Sequence, residues 1–321
     1  MIKRIFLSLL PLIAAPYICA QSFPNKTVKL IVPFETGSPD SIARILAKEL
    51  TQKTGQSFYV ENHPGANGII GADLVAKAKP DGYTLLVTST SITVNPSYYK
   101  KIPYDLSKDL VPVTNLGNVE GLLVVVNSKL PVKNLTEFLN YAKNPANKVS
   151  YGSPGNGNHL HIASEFFNQK MGLNMVHIPY KGAGPVTTAL LGEQIQVFIA
   201  TPPSVLPYIK DGRLKAIAYT GLKRASYLPD VPTVAEQGFP NFEIDGGWFG
   251  LFTTAGTSME NVRKAQQLIR QAYDNPSVRD SIVQIGLDPV GDTPEHFKAF
   301  VDTEVVRYSD RLKMLRIQAG E

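Results

Sequence analysis

The fold is decided by the stretch Tyr151-Gly-Ser-Pro-Gly-Asn-Gly-Asn-His159, a glycine-rich loop between a predicted strand (residues 148–151) and a predicted helix. The helix is indicated by apolar residues that share one face: Leu160, Ala163, Phe167 and Met171. Gly172 ends it, and either Asn156 or Asn158 caps its start. A helix start presents unpaired N–H groups and roughly half a positive charge. The stretch therefore predicts a place where an anion such as a carboxylate can bind.

This loop does not have the pattern of a nucleotide-binding loop. A Walker A loop ends in Gly-Lys-Ser or Gly-Lys-Thr, whereas this one ends in Gly157-Asn158-His159. The glycine spacing also departs from G-x-G-x-x-G. An ordinary connection between a strand and a helix has the same composition, so the prediction of a binding loop depends on the repetition of the arrangement along the chain.

The same arrangement, a strand followed by a short loop and a helix start, is predicted at three other places in the chain. Residues 27–34 predict a strand, Glu35-Thr36-Gly37 a loop, and Ser38-Pro39-Asp40 a helix start with Ser38 as its cap. The charge of Asp40 in that first turn opposes an anion placed there. The other two loops are Tyr180-Lys181-Gly182-Ala183-Gly184-Pro185, with a helix from Pro185, and Thr201-Pro202-Pro203. The hydroxyl cluster Ser89-Thr90-Ser91 follows a strand at 83–88, where a ligand can accept its hydrogen bonds.

The alternation of strands and helices predicts an α/β fold with mixed, mostly parallel sheets flanked by helices. A chain of 321 residues suits two domains. Strands at 111–116 and 122–127 flank a glycine-bounded joint, and residues 243–252 are predicted to carry the chain back. We therefore expect a discontinuous first domain, residues 21–118 with 246–321, and a second domain of residues 119–245.

Further helices are predicted from their capping residues. A capping box at Asn134 and Glu137 starts one helix, and the C-terminal region carries three more starts, at Thr257, Ser277 and Thr293. The last helix is expected to end near Gln318.

The first twenty residues have the pattern of a secretory signal peptide. Lys3 and Arg4 precede an apolar segment that two prolines interrupt, and Ile18-Cys19-Ala20 suits cleavage near Ala20. We expect export to the periplasm. The only cysteine lies in this segment, so the mature chain has no disulfide and no thiolate metal site. Without the two basic residues of the segment, 30 basic and 27 acidic residues leave a net charge of +3, which does not indicate nucleic-acid binding.

The sequence carries no motif that requires catalysis. It has no G-x-S-x-G elbow, and His159 and His161 are two residues apart, so they lie on different faces of a helix. The other three histidines have no neighbours at metal-ligand spacing. We therefore predict no enzyme activity, no metal and no cofactor. An enzyme that acts on a small acid stays open as an alternative, because catalytic groups also assemble in space.

Several motifs taken together resemble the Bug family, the periplasmic solute receptors of tripartite tricarboxylate transporters. They occur in this order: Lys29-Leu-Ile-Val-Pro-Phe34, Asp40-x-x-Ala-Arg44, Glu61-Asn-His-Pro-Gly-Ala-Asn-Gly68, Pro80-Asp-Gly-Tyr-Thr-Leu-Leu86, the stretch 151–159, Ile178-Pro-Tyr-Lys-Gly182 and Leu228-Pro-Asp-Val-Pro-Thr233. The resemblance implies a two-domain periplasmic-binding-protein fold, type II-like, with a ligand cleft between the domains. It also implies a carboxylate ligand (a di- or tricarboxylate, an amino acid or an aromatic acid), held by backbone N–H groups and waters and delivered to membrane permease subunits. The resemblance implies no catalytic activity.

The first loop departs from the family pattern, because Glu35-Thr36-Gly37-Ser38-Pro39 is one residue shorter and adds a negative charge. If Glu35 faces the cleft, an amino acid or amide becomes a more plausible ligand than a polycarboxylate.

We expect a monomer that holds its ligand between facing helix starts. A receptor that docks on a sensor protein is the alternative. The expected ligand-binding residues are Phe34, Glu35, Thr36, Gly37, Ser38, Ser89, Thr90, Ser91, Ser153, Gly155, Asn156, Gly157, Asn158, His159, Tyr180, Lys181 and Thr201.

Overall fold

The computed structural model describes residues 23–317. The predicted signal peptide, its cleavage near Ala20 and the predicted helix end at Gln318 lie outside these residues. Within them, no helix combines the length and the apolar character that crossing a membrane requires.

Eleven strands form two sheets in this part of the chain. They are β1 (Val28–Val32), β2 (Phe58–Asn62), β3 (Thr84–Ser89), β4 (Leu110–Asn118), β5 (Leu123–Asn127), β6 (Ser150–Ser153), β7 (Val176–Pro179), β8 (Val197–Ala200), β9 (Leu214–Tyr219), β10 (Trp248–Thr254) and β11 (Asp288–Pro289). The first sheet has the order β11-β4-β10-β3-β1-β2, and the second has the order β7-β6-β8-β5-β9.

Eleven α-helices accompany the strands between residues 23 and 317. They are α1 (Ser38–Thr54), α2 (Ile69–Ala76), α3 (Ser91–Tyr98), α4 (Leu106–Asp109), α5 (Leu135–Lys143), α6 (His159–Lys170), α7 (Ala183–Leu191), α8 (Pro202–Lys210), α9 (Met259–Tyr273), α10 (Pro276–Gln284) and α11 (Pro294–Leu315). A short 3-10 helix, Ala66–Gly68, precedes α2. The α/β class with two sheets flanked by helices is confirmed.

Both sheets are mixed, and parallel pairs are not in the majority. β1 runs parallel to β2 and β3, and β6 runs parallel to β7 and β8. The other five pairs are antiparallel. Four of those five involve β5 or β10, the strands nearest the two passages between the sheets. The prediction of mostly parallel sheets is therefore wrong. It assumes that a crossover helix precedes every strand, and this does not hold for the strands next to the two passages.

The first sheet is covered on both faces, as the alternation of side chains along β1 shows. Val28, Leu30 and Val32 join a core with α1, α9 and α10. Ile31 points the other way, into a core with residues of α2 and α11. In the second sheet β5 is buried throughout, which explains its unbroken apolar sequence.

The chain leaves the first sheet after Asn118 and returns to it at Trp248. The two passages lie side by side, because the N–H of Val119 donates to Gly247 O (2.9 Å) and the N–H of Gly246 donates to Val119 O (2.9 Å). A side chain at position 246 would overlap Val119, so glycine is needed there. The two passages are therefore joined to each other by backbone hydrogen bonds where they run between the sheets.

Two predicted helix caps, Asn134 and Thr293, are confirmed, and of the two candidates for α6 the cap is Asn158. Asn158 accepts a hydrogen bond from Leu160 N (3.0 Å), Asn134 from Glu137 N (2.9 Å) and Thr293 from His296 N (3.3 Å). Each satisfies an N–H that the first turn of a helix leaves unpaired.

Four predicted helix starts are wrong by one or two residues. Gly37, not Ser38, is the N-cap of α1, and α7 begins at Ala183 rather than Pro185. The cap of α9 is Ser258 instead of Thr257, and the cap of α10 is Asn275 instead of Ser277. In α10 the pair Asn275-Pro276 outweighs the predicted serine cap, because proline is pre-organised for the first helical position.

Candidate functional site

Four helix starts meet around one small cavity between the two sheets. Its volume is about 30 Å³, and we call it the central cavity. α1 comes from the side of the first sheet, and α6, α7 and α8 come from the side of the second. The lining residues are Phe34, Thr36, Gly37, Ser38, Pro39, Ser89, Pro154, Asn158, His159, Leu160, Ala183, Thr201 and Phe249. Because each helix start carries roughly half a positive charge, the cavity favours an anion.

Among residues 23–317, no lysine, arginine, aspartate or glutamate lines the central cavity. Asp40, in the first turn of α1, is buried and turned to other partners: Arg44 Nε donates to one carboxylate oxygen (2.8 Å) and Asn62 Nδ2 to the other (2.9 Å). Hydrogen bonding to Asp40 also raises the pKa of Arg44. The pairing compensates the negative charge that would otherwise oppose an anion at this helix start.

A bridge of three hydroxyl groups joins the two sides. Ser38 Oγ lies 2.6 Å from Thr201 Oγ1 and 3.2 Å from Ser204 Oγ, and the last two oxygens are 3.3 Å apart. All three residues are buried. Hydroxyl hydrogens rotate to suit their partners, so this bridge can turn its donors toward a ligand oxygen.

A chain of three asparagines makes a second connection. Asn67 Nδ2 donates to Asn95 Oδ1 (2.8 Å), and Asn158 Nδ2 donates to Asn67 Oδ1 (2.9 Å). Asn158 also caps α6, so one side chain both ends the loop and fixes it to the first-sheet side. Nearby, the Tyr99 hydroxyl donates to Asn156 O (2.7 Å). Gly157, with a φ of +68°, lies directly against the Tyr98 ring, where a Cβ would overlap it.

His159 lines the central cavity in its neutral form. Burial lowers its pKa to about 4. Its backbone N–H donates to Ser91 Oγ (3.3 Å), and the same oxygen lies 3.4 Å from Nδ1. Nε2 is buried and has no hydrogen-bond partner in the described part of the chain. The residue therefore adds no positive charge near neutral pH.

The loop of residues 153–158 rests on a group of stacked aromatic side chains, of which Tyr151 and His161 are buried and His177 is half-buried. His161 and His177 stack with ring centroids 4.0 Å apart, and Tyr151 stacks on His177 at 4.9 Å. Ser153 Oγ donates to Gly155 O (3.0 Å) and lies 2.6 Å from His177 Nε2. Burial lowers the pKa of His161 to about 3 and that of His177 to about 4. Ser153 therefore shapes the loop from behind rather than lining the cavity.

Two wider grooves lie next to the central cavity. The first, of about 610 Å³, shares Thr36 and Gly37 with the cavity and has Glu35 in its wall; we call it the Glu35 groove. The second, of about 240 Å³, shares Phe34 and Pro154 with the cavity and has Lys181 in its wall; we call it the Lys181 groove. Tyr180 lines both grooves.

The structure distributes the predicted site residues over these three spaces. The central cavity takes Phe34, Thr36, Gly37, Ser38, Ser89, Asn158, His159 and Thr201. The Lys181 groove takes Gly155, Asn156, Tyr180 and Lys181, and the Glu35 groove takes Glu35. Four residues line none of them and instead support neighbours: Thr90, Ser91, Ser153 and Gly157.

Sequence reasoning missed the apolar half of the cavity, namely Pro39, Pro154, Leu160, Ala183 and Phe249. It also missed Asn67, Asn95 and Ser204 as partners of site residues. Asn67 follows strand β2 in a glycine-rich loop, which is the one signal in the sequence that pointed to it. Between residues 23 and 317, no group of three or more His, Cys, Asp and Glu side chains is placed to hold a metal ion.

Comparison with known proteins agrees with this architecture. The chain is 36% identical to Protein BugT of Bordetella pertussis over 92% of its own length and 91% of that protein. A solved Rhodopseudomonas palustris protein with bound malate, MatC, is 29% identical and superposes with a TM-score of 0.83 over 90% of this chain and all of the other. A solved R. palustris protein with adipate is 30% identical, with a TM-score of 0.88 over 92% and 99%.

Two sheets flanked by helices are also the architecture of the solved periplasmic binding protein BugD, which is 31% identical and superposes with a TM-score of 0.87 over 92% of this chain and 99% of the other. The profile of the Tripartite tricarboxylate transporter family receptor matches residues 42–316. The chain belongs to this family, which includes the Bug proteins. The resemblance found in the sequence motifs is thereby confirmed, and no catalytic family is indicated.

Proposed function

We propose that this protein captures a small carboxylate in the central cavity and delivers it to the membrane subunits of a tripartite transporter, without chemical change to the ligand. The observation that carries the proposal is the meeting of four helix starts, from both sides, around a cavity with no charged side chain. The malate and adipate in two solved relatives support a carboxylate as the ligand.

The carboxylate is held by backbone N–H groups and hydroxyls. An oxygen at the start of α1 meets Ser38, and an oxygen on the opposite side meets the starts of α6, α7 and α8. Hydrogen bonds to an ionised acceptor are about twice as strong as neutral ones, so a few of them can replace a cationic side chain. The neutral His159 then serves as wall and donor rather than as counter-ion.

The binding step requires the two sides to move apart. A cavity of about 30 Å³ has room for about two water molecules, since each needs roughly 10–15 Å³. An acid the size of malate enters only when the hydroxyl and asparagine contacts separate. We propose domains of residues 21–118 with 246–321 and 119–245, which turn about the paired passages at Val119 and Gly246, and a closed, loaded form that the membrane subunits recognise.

The first test is a thermal-shift screen of small carboxylates and their amides on the mature protein, residues 21–321. A ligand at a hundred times its Kd adds about 2.7 kcal/mol of apparent stability. We expect carboxylates to stabilise the protein and the matched amides to fail. If no carboxylate raises the melting temperature, or if a bound acid is converted to a product, the proposal is wrong.

The second test replaces a hydroxyl of the bridge. Ser38→Ala removes a donor inside a buried polar site, so we expect affinity for the best carboxylate to fall by about 1–3 kcal/mol in calorimetry. Ser281→Ala is the matched control, because that hydroxyl donates to a backbone carbonyl on α10 and lines none of the three spaces. Equal affinities for the two variants would remove the bridge from the site.

A further inference from the structure

Among residues 23–317, His159 is the one titratable side chain in the lining of the central cavity. It is the first residue of α6 and so belongs to the side of the second sheet. Its ring reaches the side of the first sheet, where Ser91 Oγ at the start of α3 lies 3.4 Å from Nδ1 and accepts from the backbone N–H of His159 (3.3 Å). His159 therefore spans the boundary that opens in the proposed function.

The opposite edge of the ring lies against residues 245–247, which we call the return passage. A Cβ added at Gly247 would lie 3.1 Å from Cδ2 and 3.3 Å from Nε2 of His159. Thr90 ties this passage to the start of α3, because Thr90 Oγ1 accepts from Trp248 N (2.8 Å) and Thr90 N donates to Trp248 O (3.0 Å). Ser91 and Gly247 therefore form one wall, and both leave the ring together when the two sides separate.

Nε2 is an unpartnered polar atom inside this contact. The residue is only 5% exposed, and no group between residues 23 and 317 forms a hydrogen bond with Nε2. A protonated imidazole carries an N–H donor on each nitrogen, and a buried donor without an acceptor costs free energy. The closed arrangement therefore favours the neutral ring.

Two charged side chains act on this ring, and their effects oppose one another. Asp245 in the return passage favours the charged ring, as does the backbone of Gly246, whereas Arg307 of α11 disfavours it. Asp245 is itself paired with Arg307 at 2.9 Å. Helix α3 has no Lys, Arg, Asp or Glu, and His161 on α6 stacks on His177. Burial is the largest influence and lowers the pKa of His159 to about 4.

We propose that His159 is a positioning residue that links closure around the ligand to the loss of a proton. In the open form water reaches the ring, which then has the ordinary histidine pKa of about 6.5. Closure buries the ring, and its proton passes to the solvent. Because the closed form binds fewer protons, ligand affinity is full above about pH 6.5 and falls as the pH drops toward 4. The inference rests on the proposed function, since a carboxylate must first close the two sides.

Calorimetry in buffers of different ionisation enthalpy counts the protons released when a ligand binds. The probe is the tightest binder among malate, adipate and glutamate, and the protons that the free acid itself carries are subtracted. For the wild-type protein we expect a release of about 0.7 proton per ligand at pH 6 and about 0.1 at pH 7.5. The Kd should rise about tenfold between pH 7.5 and pH 5.5. Equal release at the two pH values would overturn the inference, and this measurement needs no variant.

Two variants assign the proton to its residue. His159→Asn and His159→Gln keep a polar side chain but do not titrate, so the ratio of the two Kd values should approach one, whatever the affinity at neutral pH. His296→Asn is the matched control, because this histidine is exposed on α11 and lines none of the three spaces. It should release protons as the wild type does.

The outcomes separate the two proposals. A proton release that persists in both His159 variants would overturn the inference, and its loss in His161→Phe would assign the proton to the stacked histidines. Binding without any proton release contradicts the role of His159 alone. If no probe binds at pH 7.5, the proposed function is contradicted and the inference falls with it.

Discussion

The central cavity and the two passages between the sheets differ in their charged side chains. In the part of the chain that the structure describes, no charged side chain lines the cavity. Beside the passage, Arg307 of α11 donates to both carboxylate oxygens of Asp245 (2.9 and 3.2 Å) and to Glu304 (2.8 Å). Trp248 Nε1 adds a bond to Glu304 at 2.9 Å. Side-chain charge thus ties the two sides together, whereas in the proposed function the ligand meets backbone dipoles.

The contrast has a physical basis. Burial alone would raise the pKa of Asp245, but the charge and hydrogen bonds of Arg307 outweigh it and lower that pKa. At Glu304 burial prevails and the pKa is raised. The ion pairs of Arg307 suit the passages between the sheets, because this connection has to persist whether or not a ligand is bound. A site that releases its ligand is better served by several neutral donors, because no buried charge is left unpaired when the ligand leaves.

The largest expected effect comes from breaking the ion-pair cluster. Arg307→Met leaves the buried Glu304 without its counter-charge, whereas the half-buried Asp245 keeps Arg311 at 3.8 Å. The loss should cost about 3 kcal/mol of unfolding free energy, the lower end for a broken buried pair, because the Arg307 side chain is 37% exposed. Urea unfolding near neutral pH measures this. Because the two carboxyls can then be neutralised by protons, the deficit should shrink on acidification. A loss below about 1 kcal/mol would show that the cluster behaves like an exposed pair.

The next effect is the loss of stability in acid that the buried histidines cause. Burial and the neighbouring His177 lower the pKa of His161 from 6.5 to about 3. The unfolded chain therefore takes up a proton first. Stability is full above about pH 6.5 and falls as the pH drops toward 3, by about 1.4 kcal/mol per pH unit for each such histidine.

His161→Phe tests this account, because phenylalanine keeps an aromatic ring against His177 but does not titrate. The variant should lose stability less steeply with falling pH than the wild type, by about 1.4 kcal/mol per pH unit. The readout is the slope of unfolding free energy between pH 6.5 and 4, not the absolute value, since the hydrogen bond from Gly157 N is also lost. Equal slopes would mean that His161 is protonated in the folded protein.

The smallest expected effect comes from removing a helix cap, and a pair of variants distinguishes the capping role of Asn158 from its role in positioning the ligand. Asn158→Ala and Asn134→Ala each remove the cap of a helix, and the lost cap should cost about 1 kcal/mol of stability in each variant. Asn158→Ala should cost more than Asn134→Ala, because it also leaves the buried Asn67 Oδ1 without its donor. Asn158 also lines the central cavity and holds Asn67, whereas Asn134 caps α5 and lines none of the three spaces. Carboxylate affinity should therefore fall only in Asn158→Ala. A similar fall in both variants would show that it reflects stability alone.

Local sequence patterns, such as capping residues before an apolar helical pattern, predict most of the fold and part of the site. The cap at Asn158 was predictable because an asparagine stands directly before an apolar helical pattern, and the same holds for Thr293-Pro294. The same rule predicts Ser38 as a cap, and that prediction is wrong. Gly37 takes the cap position, and the serine hydroxyl bonds to Thr201, 163 residues away in the chain. A local rule cannot weigh such a distant partner.

The missed residues share this cause. Asn67 meets Asn158 across 91 residues, and Arg307 meets Asp245 across 62. Phe249 reaches the cavity because β10 pairs with β3 in a register that places Phe249 opposite Ser89. Strand register and the pairing of distant loops depend on the whole fold, so no motif in the sequence marks these contacts.

The most direct test of the account is a crystal structure of residues 21–321 with the acid that gives the largest thermal shift. The account predicts a carboxylate within hydrogen-bond distance of Ser38 on one side and of the starts of α6, α7 and α8 on the other, with no covalent change to the ligand. A carboxylate bound to a lysine or arginine side chain, with these helix starts facing solvent, would contradict it.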